Sequence, residues 1–202
     1  MIEITPLFPT FFGKVKFDGH KKYKNIFNSL NLKNINANQP RNWNSVVHTS
    51  FDSNEKFNTE DLKSDIEKFL LRHLDIQNLE INSFWYNIYK KGFYQEKHNH
   101  CDYGNFLSGI YFYKNPTSPV FVNSSDGIIS AMGYGTVFSN TFVSKLRPNN
   151  FSPFVEEGDI IIFPSDLEHY VPLYNSDDLR ITFSFNLGVK DDKDKRRRCK
   201  IW

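Results

Sequence analysis

The sequence predicts a mainly β chain with supporting helices, folded as a two-sheet sandwich or jelly roll. Three observations predict it. Helical periodicity is confined to the first 75 residues, and from residue 79 onward apolar residues recur with period 2. The later apolar segments are short and punctuated by Gly, Pro, Asn and Asp. Aromatic residues make up 16% of the chain, led by 20 Phe and 10 Tyr, side chains that suit a pleated, half-buried surface. Helices first and many strands after them is the order expected of a β sandwich with helices packed on it.

Each element has its own signal. Val15 and Phe17 alternate with Lys14 and Lys16, the pattern of a half-buried strand. Residues 21–32, KKYKNIFNSLNL, place Tyr23, Ile26, Phe27 and Leu30 at helical spacing and predict a short amphipathic helix. Residues 33–58 are rich in Asn, Ser and Pro, with Trp43, Val46, Val47 and Phe51 as apolar anchors, and read as a long surface connection with a solvent-facing His48. Thr59 offers an N-cap, Glu60 and Asp61 favour the first turn, and Leu62, Ile66, Phe69 and Leu70 form one stripe of a helix ending near Asp75. His73 suits the C-terminal end of that helix.

Residues 79–92, LEINSFWYNIYKKG, put Ile81, Ser83, Trp85, Asn87 and Tyr89 on one strand face and Asn82, Phe84, Tyr86 and Ile88 on the other. Gly92 marks a turn, and residues 93–100 read as extended. LSGIYFYKNP, SPVFVNS, TVFSN, DIIIFP (159–164) and RITFSFNLGV (180–189) supply the remaining strands. Residues 123–150 carry Gly127, Gly133 and Gly135 and read as a pliable loop suited to a lid or a substrate-selecting edge. The expected organisation is one domain over residues 1–189, with helical support at about 21–75, a jelly-roll core at about 79–189 and a basic tail at 190–202.

Composition excludes several classes. A formal net charge of +2 does not argue for nucleic acid, and the basic run in the tail is diluted by Asp191, Asp192 and Asp194. Two cysteines, Cys101 and Cys199, have no paired spacing, which argues against a disulfide framework and suits a reducing compartment. The opening MIEITPLFPTFFG does not read as a secretory signal, and no run approaches the roughly 18 apolar residues of a membrane span. The expectation is a soluble, cytoplasmic protein without a membrane partner.

The chemistry gathers in two distant segments. His98 and His100 lie one residue apart on an extended stretch, where residues i and i+2 share a face roughly 6.6 Å apart. Their imidazoles can aim at one point, and neutral imidazole is the commonest metal ligand. An H-x-H pair alone is a weak signal. His169 follows the apolar run IIIFP, which Pro164 ends, and a third ligand from such a position completes a facial set with open coordination positions. Arg180 stands eleven residues further on, at the start of an otherwise apolar strand. An inward Arg there requires an anionic partner, because a buried unpaired charge is too costly. A dicarboxylate gripped in bidentate fashion would supply one. Thr182 and Ser184 share the face of Arg180, and the Thr182 hydroxyl can reach the same carboxylate.

In order, the chain carries W-x-N at Trp85–Asn87, H-x-H at His98–His100, S-G-I-Y at Ser108–Tyr111, GDIIIFPS at Gly158–Ser165, His169, and R-I-x-x-x-F-N at Arg180–Asn186. This series resembles a family of 2-oxoglutarate/Fe(II) oxygenases of the prolyl-hydroxylase-like superfamily, and the likeness spans most of residues 4–188. The resemblance implies a double-stranded β-helix (jelly roll, cupin-like) fold, and Fe(II), 2-oxoglutarate and O2 as cofactor and cosubstrates. It further implies hydroxylation of a C–H bond on a small molecule or protein side chain, with 2-oxoglutarate converted to succinate and CO2. Arg180 would orient 2-oxoglutarate with Thr182, Tyr111 or Tyr113 would add a hydroxyl to the distal carboxylate, and Asn87 and Asn186 are candidate polar groups near its other end.

Most members of the superfamily use two histidines and a carboxylate, so the segment HNHCD leaves two triads open. His98, His100 and His169 match the narrower family's H-x-H and are preferred. His100, Asp102 and His169 match the broader H-x-D, with His98 beside the metal or substrate. Cys101, on the opposite face, is expected to be buried and inert. Two rival readings remain: a three-histidine cupin-like dioxygenase that does not use 2-oxoglutarate, and a non-catalytic jelly-roll binding module.

Overall fold

A computed structural model describes residues 10–27, 32, 35–52, 58–74, 76, 78–102, 104–123 and 150–190. The expected strand at TVFSN, most of the expected lid (residues 124–149) and the basic tail beyond Lys190 lie outside the described residues.

The alternation of apolar and polar residues produces seven of the ten described strands where the period predicts them; the other three, at residues 48–49, 150–151 and 169–171, form where no strand is expected. In chain order these are β1 (Gly13–Lys16), β2 (His48–Thr49), β3 (Leu79–Tyr89), β4 (Gln95–His98), β5 (Leu107–Lys114), β6 (Val120–Val122), β7 (Asn150–Phe151), β8 (Asp159–Pro164), β9 (His169–Val171) and β10 (Arg180–Val189). They form two antiparallel sheets, one in the order β1-β8-β5-β10-β3-β2 and the other β4-β9-β6-β7. The described strands make two open sheets and not a closed barrel.

Helix α1 is a single turn (His20–Tyr23), and α2 runs Glu60–Leu74. The helix expected over 21–32 is therefore cut short. After Tyr23 the chain enters a turn, with the Ile26 amide bonded to the Tyr23 carbonyl at 3.0 Å. The Asn-rich sequence that follows has weak helix propensity. Helix α2 starts where its acids and N-cap predict, and the Asn58 side chain accepts from the Glu60 N–H at 3.3 Å.

Period 2 divides β10 into two chemically distinct faces. Ile181, Phe183, Phe185 and Leu187 pack in one core with Leu62, Ile66, Phe69 and Leu70 of α2. Burying each such side chain contributes about 1.5–3 kcal/mol, so this layer anchors the large sheet. The opposite face carries Arg180, Thr182, Ser184 and Asn186, all buried. It looks toward the small sheet, whose Phe121 packs with Ile110, Phe112, Ile161 and Phe163, while Val171 packs with Tyr89. Four polar side chains in succession on an inward face mark the site, because buried polar groups need partners.

Residues 33–58 are more structured than a surface connection. Thr49 is fully buried on β2 and donates to the Tyr86 carbonyl, and Val47 is fully buried beside Tyr89. Trp43 stacks on Phe51 with ring centroids 5.3 Å apart, and the half-buried His48 stacks on Tyr86. No helix among the described residues is long and apolar enough to cross a membrane.

Candidate active site

The small sheet brings two of the three histidines together through its own register. β4 pairs with β9 so that His98 and His169 are cross-strand partners, and the His100 amide then donates to the Ser165 carbonyl at 2.8 Å. Ring centroids of His98 and His169 lie 4.4 Å apart, those of His98 and His100 5.1 Å, and those of His100 and His169 5.3 Å. One nitrogen from each of the three falls within 4.8 Å of the others.

Hydrogen bonds fix which nitrogen faces the centre. Nδ1 of His98 meets the Glu96 carbonyl at 2.7 Å, Nδ1 of His169 the Leu167 carbonyl at 2.9 Å, and Nδ1 of His100 the Asn186 Oδ1 at 2.8 Å. A carbonyl oxygen only accepts, so each Nδ1 carries the proton and each Nε2 keeps its lone pair free for a metal. Nε2 of His100 is buried and has no partner. Asn186 is itself held, accepting from Ser108 Oγ at 2.9 Å and donating to Ser83 Oγ at 3.0 Å. Burial lowers the pKa of all three rings, to about 4 for His100 and about 3 for His169, with the neighbouring imidazoles adding to the effect in those two. All three are neutral at pH 7, the state a metal requires.

Asp102 is exposed and lies outside this cluster, which His98 completes. Cys101 is exposed, contrary to the buried position expected. It lies past the end of β4, where alternation between faces no longer holds. His169 is the first residue of β9, 3% exposed beneath Phe163 and Phe121.

Arg180, the first residue of β10, is paired in register with Tyr89 and is 1% exposed. Its guanidinium lies 4.4 Å above the Tyr89 ring, and Nη2 reaches the Thr117 carbonyl at 3.4 Å. Nε and Nη1 are buried without a partner. Among the described residues no carboxylate pairs with it, and Asp177 pairs with Lys91 on the surface. The Tyr89 hydroxyl donates to Gln95 Oε1 at 2.9 Å. One cavity between the sheets is lined by all three histidines together with Arg180, Thr182 and Ser184. Asn87 backs this wall, donating to Ser184 Oγ at 3.1 Å while its own Oδ1 is unpaired.

Tyr111 and Tyr113 are not brought to the site. Both lie in the core shared with α2, on the far face of the large sheet. The Tyr111 hydroxyl lies 2.6 Å from Nδ1 of His20, and the Tyr113 hydroxyl donates to the Lys24 carbonyl. Odd-numbered residues of β5 face the helix and the even-numbered Ile110 and Phe112 face inward, so the sheet separates these tyrosines from Arg180.

Residues 83–186 match the family described as "Putative 2OG-Fe(II) oxygenase". The chain belongs to that family. The oxygenase thus uses Fe(II) and 2-oxoglutarate, and the three-imidazole cluster with its free Nε2 atoms is a donor set that fits the metal. None of the curated proteins matches the sequence. Among solved structures, the oxygenase is similar in fold to HygX from Streptomyces hygroscopicus with nickel and 2-oxoglutarate bound. That match has a TM-score of 0.56 at 14% identity and covers 89% of this chain and 83% of HygX. The non-heme α-ketoglutarate-dependent epimerase SnoN from nogalamycin biosynthesis gives 0.59 at 12% identity, covering 88% of this chain and 78% of SnoN. A Pseudomonas putida prolyl-4-hydroxylase gives 0.53 at 8% identity, covering 89% and 93% respectively.

Proposed function

We propose that the oxygenase hydroxylates a C–H bond, with Fe(II) held by His98, His100 and His169 and 2-oxoglutarate held by Arg180 and Thr182. The observation that carries this reading is one cavity lined both by three histidines whose ligand nitrogens lie within 4.8 Å of one another and by a buried guanidinium with two unpaired donors. When bound, the iron and 2-oxoglutarate supply the oxidising chemistry, with succinate and CO2 as coproducts. The chain's share is positional. The three rings are fixed as neutral ligands by their Nδ1 bonds. Arg180 supplies Nε–H and Nη1–H to a carboxylate, a charge-assisted pair that answers the cost of burying the cation. Thr182 and Ser184 offer hydroxyls on the same wall, and Phe163, Phe121 and Trp85 exclude water around the ligand rings. Because all three ligands are neutral, a dianionic cosubstrate rather than a protein carboxylate balances the metal's charge. We further assign residues 1–189 to one domain of double-stranded β-helix type.

Anaerobic titration of Fe(II) and 2-oxoglutarate into the apo protein tests this, with the visible charge-transfer band of the chelated complex as readout. The band is expected in the wild type and in Asp102→Asn, and absent in His98→Ala, His169→Ala and Arg180→Ala. Iron binding without a band would favour the three-histidine dioxygenase that does not use 2-oxoglutarate. No iron binding would sink the enzyme reading altogether.

A further inference from the structure

A second cleft, of about 170 Å³, opens beside His98 and His100 on the side away from Arg180. It rests on the reading above, since it is where a substrate would meet the metal. Its aromatic wall is built by Trp43, Phe51 and Trp85. Trp43 stacks on Phe51, Phe51 packs edge-on against Trp85 at 5.3 Å, and Trp85 lies over His100 at 5.7 Å with 22° between the planes. A molecule lying along Trp85 is thereby brought next to a metal ligand.

The formally charged side chains of the cleft are of one sign. Glu96 and Asp102 line it, with no Lys or Arg among its lining residues. Oε1 of Glu96 accepts from the Asn44 N–H at 3.2 Å, whereas Oε2 is buried and has no partner. A buried, unpaired carboxylate oxygen is costly unless something supplies a donor. The lining residue Trp85 holds a second unpaired group: it is 6% exposed, and its buried Nε1–H has no acceptor. Aromatic faces beside a carboxylate attract organic cations, and Trp is the strongest of the rings in this respect.

The geometry points to a substrate that is an organic cation, a protonated amine or guanidinium on a short apolar stem. Its N–H groups bind Glu96 Oε2 and are drawn by Asp102. The stem lies along Trp43, Phe51 and Trp85, and an acceptor on the scaffold takes the Trp85 N–H. A free amine and a lysine or arginine side chain share this chemistry.

The test is a head-group series on one stem: n-butylammonium, n-butylguanidinium, n-butanol and butyrate. Each is titrated into Trp202→Phe protein, so that fluorescence reports Trp43 and Trp85. The titration is run metal-free, and again anaerobically with Fe(II) and 2-oxoglutarate, where the charge-transfer band is read on the same sample. The two cations are expected to bind at least tenfold more tightly than butanol, with butyrate weakest, and Glu96→Gln is expected to reduce that preference to less than threefold. N-acetyl-lysine methylamide and N-acetyl-arginine methylamide separate the sources. Equal or tighter binding than the butyl cations assigns the substrate to a side chain, and weaker binding assigns it to a free amine. Butanol or butyrate binding as well as the cations overturns the inference, as does a cation preference that survives Glu96→Gln undiminished. Loss of the band alone counts against the proposed function and leaves the cation series to decide this inference by itself.

Discussion

Arg180→Met is expected to make the ligand-free protein more stable while removing its response to 2-oxoglutarate. In the ligand-free state the guanidinium is 1% exposed with Nε and Nη1 unpaired. Burial lowers its pKa, with the nearby Tyr89 hydroxyl opposing the shift, so the site penalises the charge. Removing an ion from water costs several kcal/mol even after relaxation. Against this stand the Tyr89 ring at 4.4 Å and the long bond to the Thr117 carbonyl at 3.4 Å. The ring contributes about 2 kcal/mol and the bond less than about 1. Methionine fills similar space without charge, and replacing buried ionic groups by apolar ones stabilises by about 1–4 kcal/mol. Taking about 2 kcal/mol, and about 2–4 °C per kcal/mol for a chain of this size, the variant should melt about 4–8 °C higher than the wild type when both lack ligand. Adding 2-oxoglutarate at 100 times its Kd to the Zn(II)-loaded protein should raise wild-type stability by about 2.7 kcal/mol beyond the gain from Zn(II), and the variant should lose that increment. Losing the charged partner costs about 2–5 kcal/mol of binding, a drop of roughly 30-fold to several thousand-fold. Thermal unfolding with and without 2-oxoglutarate at fixed Zn(II), joined by calorimetric titration, measures both effects. A ligand-free variant less stable than the wild type, with its 2-oxoglutarate shift intact, would refute the assignment of Arg180 as the anion site.

Asn186→Ala is expected to weaken metal binding by about 10–100-fold, read by competition with a chelating dye, because it removes the acceptor that sets the His100 tautomer. Wild-type affinity in that variant would show that His100 needs no such partner. The metal-free protein should lose stability on acidification below about pH 6.5. His100 and His169 titrate near 4 and 3 when folded and near 6.5 when unfolded, so in that window the unfolded chain binds more protons and stability falls as pH falls. Thermal melts of metal-free protein between pH 8 and 4 check it, and His169→Gln should show a shallower slope. Gly109→Ala should cost about 1–3 kcal/mol in denaturant unfolding, because a Cβ on β5 would collide with the buried Phe185 ring.

Strand periods, the α2 stripe and the ligand histidines were legible because each is a local pattern or a chemically unusual residue on an apolar background. The inward position of Arg180 followed from the same logic. What was not legible depended on which neighbour each face meets. Tyr111 sits on the same sheet as Arg180, but β5 turns its odd residues toward α2, and the sequence of β5, apolar on both faces, does not say which face holds the site. Asn186 could be nominated as a polar group but not as the partner of His100, 86 positions away. Trp43, Phe51 and Glu96 went unrecognised as cleft residues. Trp43 and Phe51 lie in an Asn- and Ser-rich stretch whose burial comes from pairing with β3 and not from its own periodicity. Cys101 departs from the alternation expected of it because β4 ends at His98.

The Nδ1 bonds of the three histidines differ in how they are inherited. His98 and His169 each bind a main-chain carbonyl two residues earlier, an acceptor present whatever side chain occupies positions 96 and 167. Only His100 borrows its acceptor from a side chain. Two-thirds of the centre's orientation is therefore written into backbone shape and passes unharmed through point substitutions around it. A substitution of Asn186, or of Ser108 and Ser83 that hold it, therefore reaches the His100 ring without touching any histidine.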